Sequence, residues 1–190
     1  MGKRFDQLSD QHCEFIARQK MFFVATATAD SRINLSPKGM DSLRVLDSHR
    51  VAWLNVTGSG NETAAHVQVN PRMTIMFCAF EGAPVILRLY GTARVIHRGD
   101  REWQTLWPQF TPLPGARQIF YMAVDLVQTS CGMAVPYFAY EGDRELLIDW
   151  ANKKGEAGVK EYWREKNQRS LDDLPTHIVA RNLSSGADPS

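Results

Sequence analysis

What the sequence has little of narrows its class first. Of its 190 residues only three are cysteine, at positions 13, 78 and 131. An odd number at such separations resembles neither a disulfide framework nor a zinc-ligand pattern, so no metal site is expected. Neither sign of charge is in excess: 22 Lys and Arg against 21 Asp and Glu leave a formal charge of +1. Such a chain has no general field to attract nucleic acid or an anionic membrane, and an anion must be caught by a local site. No apolar run approaches the roughly 20 residues of a membrane span. The stretch "MGKRFDQLSDQHCEF" lacks the apolar centre of a signal peptide. Asp6 stands where the myristoylation pattern needs Ser or Thr. A reducing cytoplasm is the expected compartment. There is also no Gly-x-Ser-x-Gly elbow for a serine hydrolase, and no histidine is indicated in the sequence as a partner for Cys131 as nucleophile.

What is present fits one soluble globular domain over residues 1–190, with 44% hydrophobic and 23% charged residues. "LSDQHCEFIARQKM" predicts an opening helix capped by Ser9 or Asp10. "FFVATATAD" alternates as a strand does, with Val24, Thr26 and Thr28 on one face. "INLSPKG" returns as a second strand, and Pro37 inside it implies an edge or a bulge. "LRVLD", "RVAWLNV" and "RMTIMFCAF" add further strands. "VILRLYGTARVIH" is a long one bent at Gly91, and "RQIFYMAVDLVQTS" is another. "GDREWQTLWPQF" reads as a helix weakened by Pro108. The tail gives two helical patterns between about residues 143 and 170, and a disordered end from about 182. Six or more strands joined by hairpin-length turns predict an antiparallel barrel with helical additions rather than a parallel sheet.

The most pointed stretch is "NVTGSGNETAAH", a strand that runs into a glycine-bracketed loop and then a short helix. It lacks the Gly-Lys-Ser/Thr of a Walker A loop, and Thr63 stands where a dinucleotide fingerprint needs its third glycine. The physics beneath both motifs still applies. Free amides at a helix N-terminus favour an anion. Gly58 and Gly60 permit close approach, while Ser59, Asn61 and Thr63 add neutral donors. Glu62 opposes an anion unless it turns outward. The alternative is that Asn61 or Ser59 simply caps the helix.

Other polar residues carry the same two-sided reading. Ser36 and Lys38 share a strand face, and Lys38 is either a point charge for a phosphate or a solvated lysine. Arg44 either forks onto phosphate or pairs with Asp41 or Asp47. Arg88 sits in an otherwise apolar strand. Gln128, Ser130 and Cys131 end the last long strand, as donors to a heteroaromatic edge or as a polar turn. His66, one turn after Glu62, contacts either a ligand or a carboxylate.

Together "FFVATATADSRINLSPKG", "RVAWLNVTGSGNETAAHVQVNPRMTIMFCAF", "ILRLYGTARVI" and "VQTSCGMAVP" resemble the pyridoxamine 5′-phosphate oxidase-like, FMN-binding split-barrel family. The likeness covers roughly residues 20 to 137 and looks closest to an uncharacterised bacterial subgroup. It implies a six-stranded antiparallel Greek-key split barrel, a homodimer, and FMN at the dimer interface. By position, Lys38 or Arg44 and Ser59, Asn61 and Thr63 would hold the phosphate. Asn55 to Thr57 would lie near the ring or ribityl chain, Arg88 would reach the flavin, and "QTSCG" would come from the facing part of the dimer. Two departures stand out. Thr63 replaces a lysine at the helix start, and His177 and Arg181 are spaced unlike the Arg-x-His that grips pyridoxal phosphate. Genuine pyridoxamine phosphate oxidase activity is therefore not expected. The resemblance implies an FMN-dependent oxidoreductase of a small-molecule substrate, with NAD(P)H as a possible donor. The alternative is a non-catalytic module for flavin, deazaflavin or haem.

Overall fold

The computed structural model describes residues 2–183. The chain order is β1 (Lys3–Phe5), α1 (Asp10–Arg18), β2 (Phe22–Thr26), β3 (Asn34–Lys38), β4 (Leu43–Asp47), β5 (Arg50–Val56) and α2 (Glu62–Val69). Then come β6 (Arg72–Cys78), β7 (Val85–His97), α3 (Arg101–Leu106), β8 (Ala116–Cys131), α4 (Leu146–Lys166) and α5 (Ile178–Asn182). Ser9 caps α1 in a reciprocal box: its hydroxyl accepts from the His12 amide, and its own amide donates to His12 Nδ1. Pro108 ends α3, and a single 3₁₀ turn, Trp107–Gln109, follows. Gly155, at φ 66°, splits α4 into the two predicted helices.

The strands form one antiparallel sheet in the order β3-β2-β6-β7-β8-β5-β4, with β1 also paired to β8. This corrects the expected closed, six-stranded split barrel: among the described residues there are eight strands, and no ladder joins the two ends, β3 and β4. The reason lies in the short connection between them. Pro37 removes a donor from β3. Met40 and Asp41 then take left-handed backbone angles (φ 61° and 50°) that turn the chain before Ser42, whose hydroxyl donates to the Gly39 carbonyl at 2.7 Å. Pro37 does mark an edge strand, as its position in the sequence implies.

Strand β8 organises the sheet because it is long. One of its edges pairs with β7 from Gln118 to Cys131; the other pairs first with β5 and then with β1. The ladder to β7 shifts register between Tyr90 and Gly91. A Cβ at Gly91 would overlap the Ala123 carbonyl, so glycine is required for this bulge. The main core lies on one face of the curved sheet. Trp53 and Phe120 stack there with ring centroids 4.4 Å apart, packed among Val24, Ile75, Phe77 and Leu89. The tail has a small core of its own, built from Ala151, Val159, Trp163 and Ile178. Residue 182 closes α5, and the rest of the expected disordered end, residues 184–190, lies outside the described residues.

Candidate functional site

The loop after β5 and the start of α2 border a cleft of about 360 Å³. Strand β3 supplies Ser36 and Lys38, which its alternation places on one face. Strand β5 supplies Asn55, and β8 supplies Arg117. Asn61 precedes α2 but makes no side-chain cap bond; its amide nitrogen instead reaches the Asn167 carbonyl at 3.4 Å. The helix start is thus not capped by a side chain. Among the described residues none accepts a hydrogen bond from the amides of Gly58, Ser59, Gly60 or Asn61.

Arg117 carries the electrostatics, and it is absent from the residues the sequence singles out. It is 4% exposed. Its guanidinium donates to the Gly60 carbonyl at 2.7 Å and to Asn167 Oδ1 at 2.8 Å, while Nε has no partner. Burial pushes it down to about 9, which still leaves it cationic at neutral pH. Lys38 lies over the Trp53 ring at 5.3 Å. Burial, and then repulsion from Arg117, bring its ammonium down to about 8. No carboxylate pairs with either group among the described residues. Two neighbouring cations, Arg117 buried and Lys38 half-buried, that line one cleft without an ion pair among the described residues suit an anion from solution. Ser36 Oγ and Asn61 Oδ1 are also buried and unpartnered. The first can donate to an anion; the second requires a donor such as a ligand hydroxyl.

Glu62 borders the cleft, but both its carboxylate oxygens accept from the Leu171 amide at 3.0 Å, which fastens the tail and engages this negative charge away from Lys38 and Arg117. Thr57 is fully engaged: its hydroxyl donates to the Gly115 carbonyl at 2.6 Å and accepts from Trp163 Nε1 at 2.7 Å. Asn55 donates to Gln118 Oε1 at 3.2 Å. Thr63 Oγ1 accepts from Asn34, which also donates to Thr26, itself bonded to His66 Nδ1. His66 is buried in this chain of contacts and is not among the residues lining the cleft; its charged neighbour is Asp172.

Other expected residues lie elsewhere. The Arg44 guanidinium donates to both Asp41 carboxylate oxygens and to the carbonyls of Asp41, Leu43 and Gln109, and it sits over Phe110. It takes the Asp41 pairing and stays out of the cleft. Arg88 donates to Ser130 Oγ at 3.0 Å, and Gln128 accepts from Tyr90 at 3.1 Å. With the exposed Cys131 these form a separate group along β7 and β8. The signal for Arg117 was the one applied to Arg88, a cation inside an apolar strand; "ARQIFYMAV" carries it equally. Nothing local marks Asn167, because its contacts to the glycine loop span more than 100 residues.

Beyond Lys38 the cleft opens into a wider trough of about 1080 Å³, which shares Pro37, Gly39, Met40 and Leu147 with it. Phe23, Phe80, Phe138 and Tyr140 line the trough. No helix among the described residues is long and apolar enough to cross a membrane.

Comparison with known proteins agrees with this architecture. The family described as pyridoxamine 5′-phosphate oxidase matches residues 8–131. A pyridoxamine 5′-phosphate oxidase family protein of Aspergillus flavus, ustO, is 35% identical over 191 residues, covering 90% of this chain and 76% of that protein. Among solved structures, a variant of HupZ from Group A Streptococcus superposes with a TM-score of 0.51 at 20% identity, over 64% of this chain and 98% of the other. A pyridoxamine 5′-phosphate oxidase-like protein of Lactobacillus delbrueckii gives 0.51 at 19% identity, over 65% and 94%. At these identities the structures speak for the fold alone. The family span and the coverage of the fungal relative lead to one statement: this chain belongs to the pyridoxamine 5′-phosphate oxidase family.

Proposed function

We propose that the protein is a binding module for a phosphorylated flavin, FMN, seated with its phosphate at the Gly58–Thr63 corner. The observation that carries the reading is the pair of cations, buried Arg117 and half-buried Lys38, that line one cleft with no carboxylate ion-paired to either among the described residues. Lys38 and Arg117 would hold the phosphate together with Ser36 and the amides of Ser59 and Gly60. The orphan Asn61 Oδ1 asks for a hydroxyl donor, which a ribityl chain supplies. The apolar trough beyond Lys38 has room for a planar ring. Arg88, Gln128 and Ser130 do not border the corner and would meet the ligand from a second copy of the chain. A homodimer is supported by the apolar side chains left exposed beside the trough, among them Leu35, Tyr137, Phe138 and Leu146.

Titration of the purified protein with FMN, followed by flavin fluorescence, tests the reading. Saturable quenching is expected, and an absence of quenching with tight uptake of haem instead would overturn it. The trough is larger than one planar ring requires, which supports a second reading in which a substrate stacks on the flavin. Bound flavin would supply the redox chemistry. Anaerobic bleaching of the bound flavin by NADH or NADPH would select that oxidoreductase reading over the module.

A further inference from the structure

The cation pair raises the question of what keeps Arg117 from being neutralised within the protein. Buried arginines ordinarily sit against a carboxylate. Here the tail supplies a neutral acceptor, Asn167, which is fully buried. The direction of its amide is fixed by its neighbours. Oδ1 must face Arg117, which only donates, and Nδ2 must face the carbonyls of Gly58 and Ser59, which only accept, at 3.0 and 3.3 Å. The Asn167 carbonyl is held in turn by Thr176 Oγ1 at 2.6 Å and by Asn61. One side chain thus fixes the guanidinium and the backbone of the glycine loop together without adding charge. Residue 167 also lies outside the family-matched span, which ends at 131.

We infer that Asn167 is a positioning residue that makes the corner selective for an anionic ligand, by orienting Arg117 and the Gly58–Ser59 carbonyls while leaving the positive charge uncompensated. This inference rests on the reading of the corner as a phosphate seat. The tail is then part of the binding site rather than packing laid over it. A carboxylate at 167 would occupy the position of the ligand's charge from within. It would also set its second oxygen against two carbonyls, so some loss of thermal stability is expected along with the charge effect.

The test compares Asn167→Asp, Asn167→Ala and Val159→Ala by FMN titration at several salt concentrations, with thermal unfolding of each. Val159→Ala trims an apolar contact of the tail and removes no polar group of the corner, so it calibrates the effect of a loosened tail. Asn167→Asp is expected to weaken FMN at least ~30-fold and to reduce the salt dependence of Kd to about half, since one of two site charges is cancelled. Asn167→Ala is expected to weaken FMN by about 5-fold with the wild-type salt dependence retained, and Val159→Ala to leave Kd unchanged. If Asn167→Asp does not fold, Asn167→Ala decides the matter. Weakening beyond that of Val159→Ala at a comparable unfolding temperature supports the inference, and equal Kd values overturn it. An Asn167→Asp protein that keeps the wild-type salt dependence overturns it as well. If wild-type protein binds neither FMN nor inorganic phosphate, the phosphate-seat reading falls, and this inference falls with it. If wild type binds and Asn167→Asp binds equally well, only the present inference fails.

Discussion

Two arginines in this protein show opposite fates for a positive charge. Arg44, on the edge strand β4, is held by Asp41 and three carbonyls, so its charge is already paired within the protein. Arg117, inside β8, is more deeply buried, yet it meets only a carbonyl and a neutral amide, with Lys38 as its charged neighbour. The first arrangement is complete in itself, and the second is complete only with an anion. The contrast shows that burial and partner chemistry, rather than residue type, separate a structural cation from a binding one.

The comparison can be broken most severely at Arg117. Replacing Arg117 with Met removes two charge-assisted contacts to the ligand and should weaken FMN about 100-fold, since such bonds contribute roughly 1.5–3 kcal/mol. Isothermal titration at pH 7 measures this, and a loss under about 3-fold would place the phosphate elsewhere. Next comes pH. Lys38 titrates at about 8, so the ammonium that attracts an anion is present below that value and is lost as the pH rises through it. A phosphate monoester becomes a dianion above about pH 6. FMN affinity should therefore peak between roughly pH 6.5 and 8, and Lys38→Met should shift the alkaline limb up toward the Arg117 value of about 9. The sign for stability is opposite. The folded value lies below the ordinary 10.5, so the unfolded chain holds more protons between 8 and 10.5. Ligand-free stability should rise with pH across that window in urea titrations, and saturating FMN should suppress the rise.

Smaller effects sharpen the comparison. Trp163→Phe deletes the indole bond to Thr57 and should cost about 1 kcal/mol in chemical unfolding. Arg44→Met should leave FMN affinity within about 2-fold and stability within roughly 1 kcal/mol, because its ion pair with Asp41 is at the surface. A large affinity loss in Arg44→Met would erase the distinction drawn between the two arginines.

Much of the fold was legible because it follows from local chemistry. Pro37 marked an edge, Gly91 a bulge, Ser9 a cap, and Gly155 lies where the two tail helices part. Barrel closure was not legible. It depends on whether β3 and β4 meet, and the left-handed Met40 and Asp41 that turn the chain between them have no glycine or asparagine to announce them. At the corner, Ser36, Lys38 and the Gly58–Thr63 loop were found from spacing, since each lies on one strand face or one turn. Arg117 carried the same local signal as Arg88, a cation in an apolar strand, but that it is buried and unpaired beside the glycine loop is a tertiary property. For Arg44 the sequence left two readings, a phosphate or a pairing with Asp41 or Asp47, and only the turn geometry decides for Asp41. Trp163 was legible as a tail residue that covers the cleft or docks the tail on the sheet, but Asn167 could not be found without knowing that the tail folds back over the loop.

The central claim is that the corner reads a phosphate rather than a ring. The most direct measurement is the affinity for FMN against that for riboflavin, which differ only by the phosphomonoester, at pH 7 and moderate salt. FMN is expected to bind at least about 100-fold more tightly, by the strength of paired charge-assisted contacts. Equal affinities for the two flavins would contradict it.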